Sequence, residues 1–183
     1  MARSLAGAVS AKGASGDEVA ALSRAFHLAM GPRVDLLDDD HHPAYLHPGR
    51  GPLILLQDVG TVDVSVLMVA ALHESRDHEL RVPAAEVEAE VGPAAKAAVE
   101  SIPRPGDERL VERLLTLGPG LSLAALAERL DHIRHLHVRK DLVDDWAPTY
   151  TEVLEAWLPF AERTNPQLAR RYAHWARTFV KRI

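Results

Sequence analysis

The chain contains no cysteine. Disulfide staples, thiolate zinc sites and thiol nucleophiles are therefore excluded, and any metal centre must be built from His, Asp and Glu. No uninterrupted apolar run approaches the roughly 18–20 residues that span a bilayer, and the small-residue stretch after Arg3 is too weakly apolar for a secretory signal. A cytoplasmic protein without a membrane partner is the expectation. An excess of positive charge is missing too. Against 26 Asp plus Glu stand 21 Lys plus Arg, a net charge of −5, which argues against nonspecific nucleic-acid binding while leaving room for a small basic pocket. There is no internal repeat and no low-complexity segment.

What the chain does have is 183 residues and 47% apolar content, enough for one domain with a sizeable core. Ten histidines are about twice the usual share and invite a search for metal chemistry. The first 14 residues, rich in small side chains and broken by glycine, predict a loose N-terminal arm. Residues 15–183 predict a single helical domain. A helix is expected from Ser15 to the Gly31-Pro32 break, with Asp17 and Glu18 in its first turn, and a second over residues 53–59. Asp63 can cap a third, whose almost wholly apolar stretch over residues 64–72 should be central and buried. Residues 84–102, 107–117, 121–136, 146–163 and 166–182 all read at the 3.6-residue period. The consistent solution is an all-α bundle of about eight helices.

Three places combine possible metal ligands with apolar helices: His47 in Tyr45-Leu46-His47-Pro48, His73-Glu74 at the end of the buried helix, and Glu128 in Leu126-Ala127-Glu128-Arg129-Leu130-Asp131-His132. Imidazole and carboxylate together suit manganese, iron or zinc, and ligands from three helices can converge on one ion. Taken singly, each is equally a cap or a solvated group.

The order of these segments resembles the HD-domain phosphohydrolases, and within them the hydrolase domain of the RelA/SpoT family. The resemblance runs through Ala25-Phe26-His27, Gly31-Pro32-Arg33, Pro43-Ala44-Tyr45-Leu46-His47-Pro48, Ala70-Ala71-Leu72-His73-Glu74 and Glu90-Val91-Gly92. It continues through Leu126-Ala127-Glu128-Arg129-Leu130-Asp131-His132-Ile133-Arg134, and ends in the helix from Glu152 to Arg163. It implies a domain that binds one divalent ion, usually manganese, and hydrolyses a phosphorylated nucleotide, guanosine tetraphosphate in that family. Carried over position by position, the ligands become His47, His73, Glu74 and Glu128. Both carboxylates are then Glu where the family has Asp. Each extra methylene lengthens the reach by about 1.5 Å, while metal sites hold ligand distances to roughly 0.2 Å, so the ion or the helices must shift.

The same register puts Asp77 and His78 where the family handles the attacking water. An acid followed by an imidazole can serve as base and proton shuttle, or both residues can be solvated loop. Arg33, Tyr45, Arg129, His132 and Trp157 take the nucleotide-facing positions; Trp157 can stack on a base or pack in the core. The acidic run Asp38-Asp39-Asp40 replaces a basic loop of the family and would repel a tetraphosphate unless a cation intervenes. With His41 and His42 it makes either a polar loop or a second metal site. His132, His135 and His137 also suit a helix C-terminus. The basic amphipathic segment 167–182 can pack on the bundle or offer a homodimer or regulatory face. Two functions stay open: a metal-dependent phosphohydrolase acting on a phosphorylated nucleotide, or a non-catalytic HD domain kept as a nucleotide-sensing or protein-binding module.

Overall fold

The computed structural model describes residues 1–34, 46–73 and 82–183. The described residues are helical throughout their regular structure, without a strand. Helix α1 spans Ala2–Ser10 and α2 spans Gly16–Met30. Helix α3 runs His47–Ile54 and passes into a π turn, Leu55–Val59; α4 is Val64–Leu72, α5 Ala84–Val91, α6 Pro93–Ser101, α7 Leu110–Leu115 and α8 Pro119–His135. Helix α9 starts as Trp146–Glu152, loosens into a π turn at Val153–Trp157 and closes as Leu158–Thr164; α10 is Pro166–Phe179. No helix among the described residues is long and apolar enough to cross a membrane.

The all-α expectation holds, with ten helices among the described residues where about eight were expected. Two local causes account for the difference. The expected arm over residues 1–14 is largely helix α1, because Leu5 and Val9, four apart, form one apolar stripe that is fully buried against α2 and α3. The expected helix over residues 84–102 is split by Gly92, whose φ of +98° is open to glycine and strained for any other residue.

Capping fixes the ends of the two helices that carry the core. Ser15 and Glu18 form a reciprocal capping box at the start of α2. The Asp63 carboxylate accepts from the backbone N–H of Ser65 at 3.0 Å, stopping α4 from unravelling into the preceding loop. Helix α4 buries Val64, Val66, Leu67, Val69, Ala70, Ala71 and Leu72. An element apolar on nearly every side has to be wrapped, and α4 is packed against α2, α3, α6 and α8.

On the far side, α10 is pinned to α8 by two buried side-chain bonds to otherwise ordinary helix carbonyls. The Tyr172 hydroxyl donates to the Leu126 carbonyl at 2.8 Å and the Trp175 indole N–H to that of Ile133 at 2.7 Å. Residues 126–133 of α8 are thereby fixed from behind, which settles the direction in which their other face points.

The contact of α8 with α4 is tight at Gly120. A Cβ built there would lie 2.7 Å from the Cγ2 methyl of Val66, closer than carbon atoms pack. Val66 is β-branched and stiff, so the clash has to be relieved by moving α8. Gly120→Ala should therefore destabilise the fold by about 1–3 kcal/mol, read as a lower urea midpoint. In a double-mutant cycle the added Val66→Ala should recover part of that loss.

Candidate metal centre

Glu128, Asp131 and His132 lie on α8 at positions i, i+3 and i+4, and so share one helix face. His47 and Arg50, three apart in the first turn of α3, face them. The four principal groups are largely out of water: Asp131 is 0% exposed, Glu128 2%, His47 10% and His132 12%.

Asp131 organises the group. Its Oδ2 accepts from His47 Nδ1 at 2.6 Å and from Arg50 Nε at 2.9 Å, and its Oδ1 faces an Arg134 Nη2 at 2.7 Å. Burial alone would push its carboxyl up. The hydrogen bond and charge of His47, with the charges of Arg50 and Arg134, outweigh that and hold the carboxyl well below the usual carboxylate range. An ionised carboxylate only accepts, so Nδ1 of His47 carries the proton. The Nε2 of His47 is then the nitrogen turned toward Glu128 Oε1, 3.6 Å away.

Glu128 Oε1 also lies 3.0 Å from His132 Nε2, and the two imidazole rings are 4.5 Å apart between centroids. One ligand atom from each of His47, Glu128 and His132 falls within 4.8 Å of the others, close enough for all three to hold a single metal ion. Two nitrogens and one oxygen suit a divalent transition metal. The carboxylate behind His47 is the partner that orients a metal-binding imidazole and raises its basicity.

Beside the trio, on the His132 side, opens a cleft of about 330 Å³ lined by Arg129, His132, Pro148, Thr149, Glu152 and neighbouring residues. Glu152 is its structural pivot. It accepts from Arg129 Nη2 and from the Trp157 indole N–H, both at 2.9 Å through Oε1, and through Oε2 from the backbone N–H of Gly106 at 2.8 Å. This holds the Arg129 guanidinium at the cleft wall, 5.9 Å from the Trp157 ring centroid.

No family model matches the chain, and no curated protein matches it. The site therefore stands on its own geometry.

The structure brings His47 and Glu128 together and adds His132, which the sequence reading assigned to the nucleotide. His73 is buried at the C-cap of α4 and is outside the trio. Glu74, Tyr45, Asp77, His78 and the acidic run of residues 38–40 with His41 and His42 lie outside the described residues. Arg129 and His132 share the cleft. Two of the nucleotide-facing residues are buried. Trp157 is 1% exposed, packed in the core with its N–H committed to Glu152, and offers no open face for a base. Arg33 is buried, its guanidinium turned back onto the Ala29 carbonyl at the end of α2, and it is absent from the cleft wall. Sequence reasoning missed Asp131, Arg50 and Glu152. For Asp131 a signal existed: it lies three residues after Glu128 and one before His132, on the same helix face.

Asp131 gives a prediction with a definite sign. Its folded pKa lies below the ~3.9 of an unfolded aspartate, so its ionised form stabilises the fold above that value and the contribution drains away as pH falls through the folded pKa. Asp131→Asn should cost about 3–5 kcal/mol at neutral pH, because His47, Arg50 and Arg134 lose a buried counter-charge. Urea titrations between pH 7 and pH 2 should show a shallower acid decline for the variant than for the parent.

Proposed function

We propose that the chain is a metal-dependent phosphohydrolase of HD type that acts on a phosphorylated nucleotide in the cytoplasm, with manganese as its ion. One observation carries this reading: two imidazoles and a carboxylate converge within 4.8 Å, with the buried Asp131 behind one of them. His47, Glu128 and His132 would hold the ion. When bound, such an ion supplies a Lewis acid for the phosphoryl oxygens and lowers the pKa of a coordinated water.

The chain's own residues do the rest of the work. Asp131 fixes the His47 ring through Nδ1, so that Nε2 stays available as a lone pair. Arg129, held at the cleft wall by Glu152, presents a planar guanidinium to a phosphate, for which its fork of donors is well matched. The collar of Arg129 and His132 places positive and imidazole groups where a negatively charged substrate enters. Asp77 and His78 are the groups proposed to handle the attacking water, and guanosine tetraphosphate heads the substrates to be tried on the strength of the motif resemblance.

The test joins metal content to turnover. Elemental analysis of the purified chain, followed by a phosphate-release screen over nucleotides including guanosine tetraphosphate with added manganese, should find about one ion per chain and activity that follows it. His132→Ala removes the most accessible ligand and is the variant least prone to misfold, which circular dichroism checks. Loss of an outer partner of a metal ligand typically costs 10- to 100-fold, so loss of an inner one should cost at least that in both affinity and rate. Full metal retention by His132→Ala would overturn the centre. Nucleotide binding by calorimetry without phosphate release under any divalent ion would favour the non-catalytic sensing module.

A further inference from the structure

On the opposite flank of α8 from the cleft, the groove between α8 and α10 widens into a cavity of about 570 Å³. Its wall carries Arg134 from α8, His137 from the 3-10 turn Leu136–Val138 after it, Arg171 and His174 from α10, and Arg182 from the turn that follows α10. Three guanidinium groups and two imidazoles thus meet in one concavity of a chain whose net charge is −5. Among the described residues that line it there is no carboxylate.

The sequence spacing explains the convergence. Leu130 and Arg134 stand at i and i+4 on α8, with His137 in the 3-10 turn that continues the chain, and Arg171, His174 and Thr178 stand at i, i+3 and i+7 along α10. The bonds from Tyr172 and Trp175 to α8 carbonyls fix the two stripes face to face. Leu130, Trp175 and Phe179 are buried and form the apolar base, with the Trp175 and Phe179 rings stacked at 4.7 Å.

Carboxylates outside the cavity neutralise only part of this charge. Arg134 is paired with Asp131 at 2.7 Å, and Arg171 stands 3.6 Å from Asp58 across an exposed gap, a separation that contributes little in water. The Nε of Arg134 is shielded from solvent and has no hydrogen-bond acceptor among the described residues. His174 and Arg182 project into water at the rim. A rigid, concave set of donors with like charges held together is destabilised by its own repulsion unless an anion joins it.

We propose that this cavity is a second, metal-independent binding site for a small molecule carrying two or more linked phosphates, bound by Arg134, Arg171 and Arg182 with His174 at the mouth. The size falls within the usual range for small-ligand sites, and the guanidinium groups suit phosphate oxygens in pairs. A concave site within an acidic chain favours a compact polyanion over an extended nucleic acid, whose backbone would meet repulsion beyond the groove. The proposal does not depend on the metal centre.

Inorganic triphosphate is the probe, titrated calorimetrically into the full chain as purified. Saturable binding is expected, weakened at least tenfold by Arg171→Ala combined with Arg182→Ala, since a hydrogen bond to a charged group is worth roughly tenfold. Both side chains are exposed, so the fold should persist, as circular dichroism will report. Arg3→Ala, at an exposed arginine of α1 outside the cavity, should leave the affinity within about twofold, and Arg171→Lys combined with Arg182→Lys should restore part of what the double alanine variant loses. No binding by the parent, unchanged affinity in the double variant, or loss of binding on Arg3→Ala would each overturn the assignment.

Discussion

A carboxylate with no exposed surface needs compensation, and the Asp131 side chain obtains it from three donors on two helices: the His47 Nδ1–H and Arg50 on α3, and Arg134 on α8 itself. Each partner removed leaves a charge stranded in low dielectric, where the cost is several kcal/mol. The relative placement of α3 and α8 is consequently specified by chemistry as well as by packing. That same bond turns the His47 ring so that Nε2, and not Nδ1, faces Glu128. The metal trio is thus downstream of a structural ion-pair network.

The network can be buried only because the helices that carry it come close. Helix α4 supplies an apolar surface on nearly every side, so α3 and α8 both pack on it and meet beside it. Gly120 lets α8 approach Val66 without a Cβ in the way, and α10 locks α8 from the rear through Tyr172 and Trp175. The Glu128, Asp131 and His132 side of α8 is then directed toward α3 and the cleft. Hydrophobic wrapping of α4 and the polar geometry of the site are two consequences of one arrangement.

The parts of this that were legible in the sequence are local. The apolar run of residues 64–72, the Asp63 cap and the 3.6-residue period of α8 each depend on neighbours in the chain, and the structure has them as read. Helix α1 escaped because Leu5 and Val9 are two apolar residues in a run of small ones, a pattern whose stability comes from the α2 and α3 surfaces it covers rather than from propensity. The pairing of Asp131 with His47 joins residues 84 apart, which no periodicity reports. Trp157 reads first as core and second as a stacking residue; Glu152, five residues earlier and turned inward to accept its indole N–H, agrees with the core.

His132 joins the candidate donor group for a reason local to its helix. A Glu at 128 reaches about 1.5 Å further than an Asp, and its carboxylate extends along the helix face toward the residue one turn ahead. That residue is His132, whose Nε2 lies 3.0 Å from Glu128 Oε1. A shorter acid at 128 would draw back toward α8 and lengthen the 3.6 Å gap to His47 on the facing helix. The 3.0 Å contact ties the longer side chain to the histidine one turn on, and the two imidazoles, 4.5 Å apart between centroids, complete the group. Two of the three candidate donors come from the helix that also carries Arg129 to the cleft wall, where the set carried over position by position takes only Glu128 from that helix.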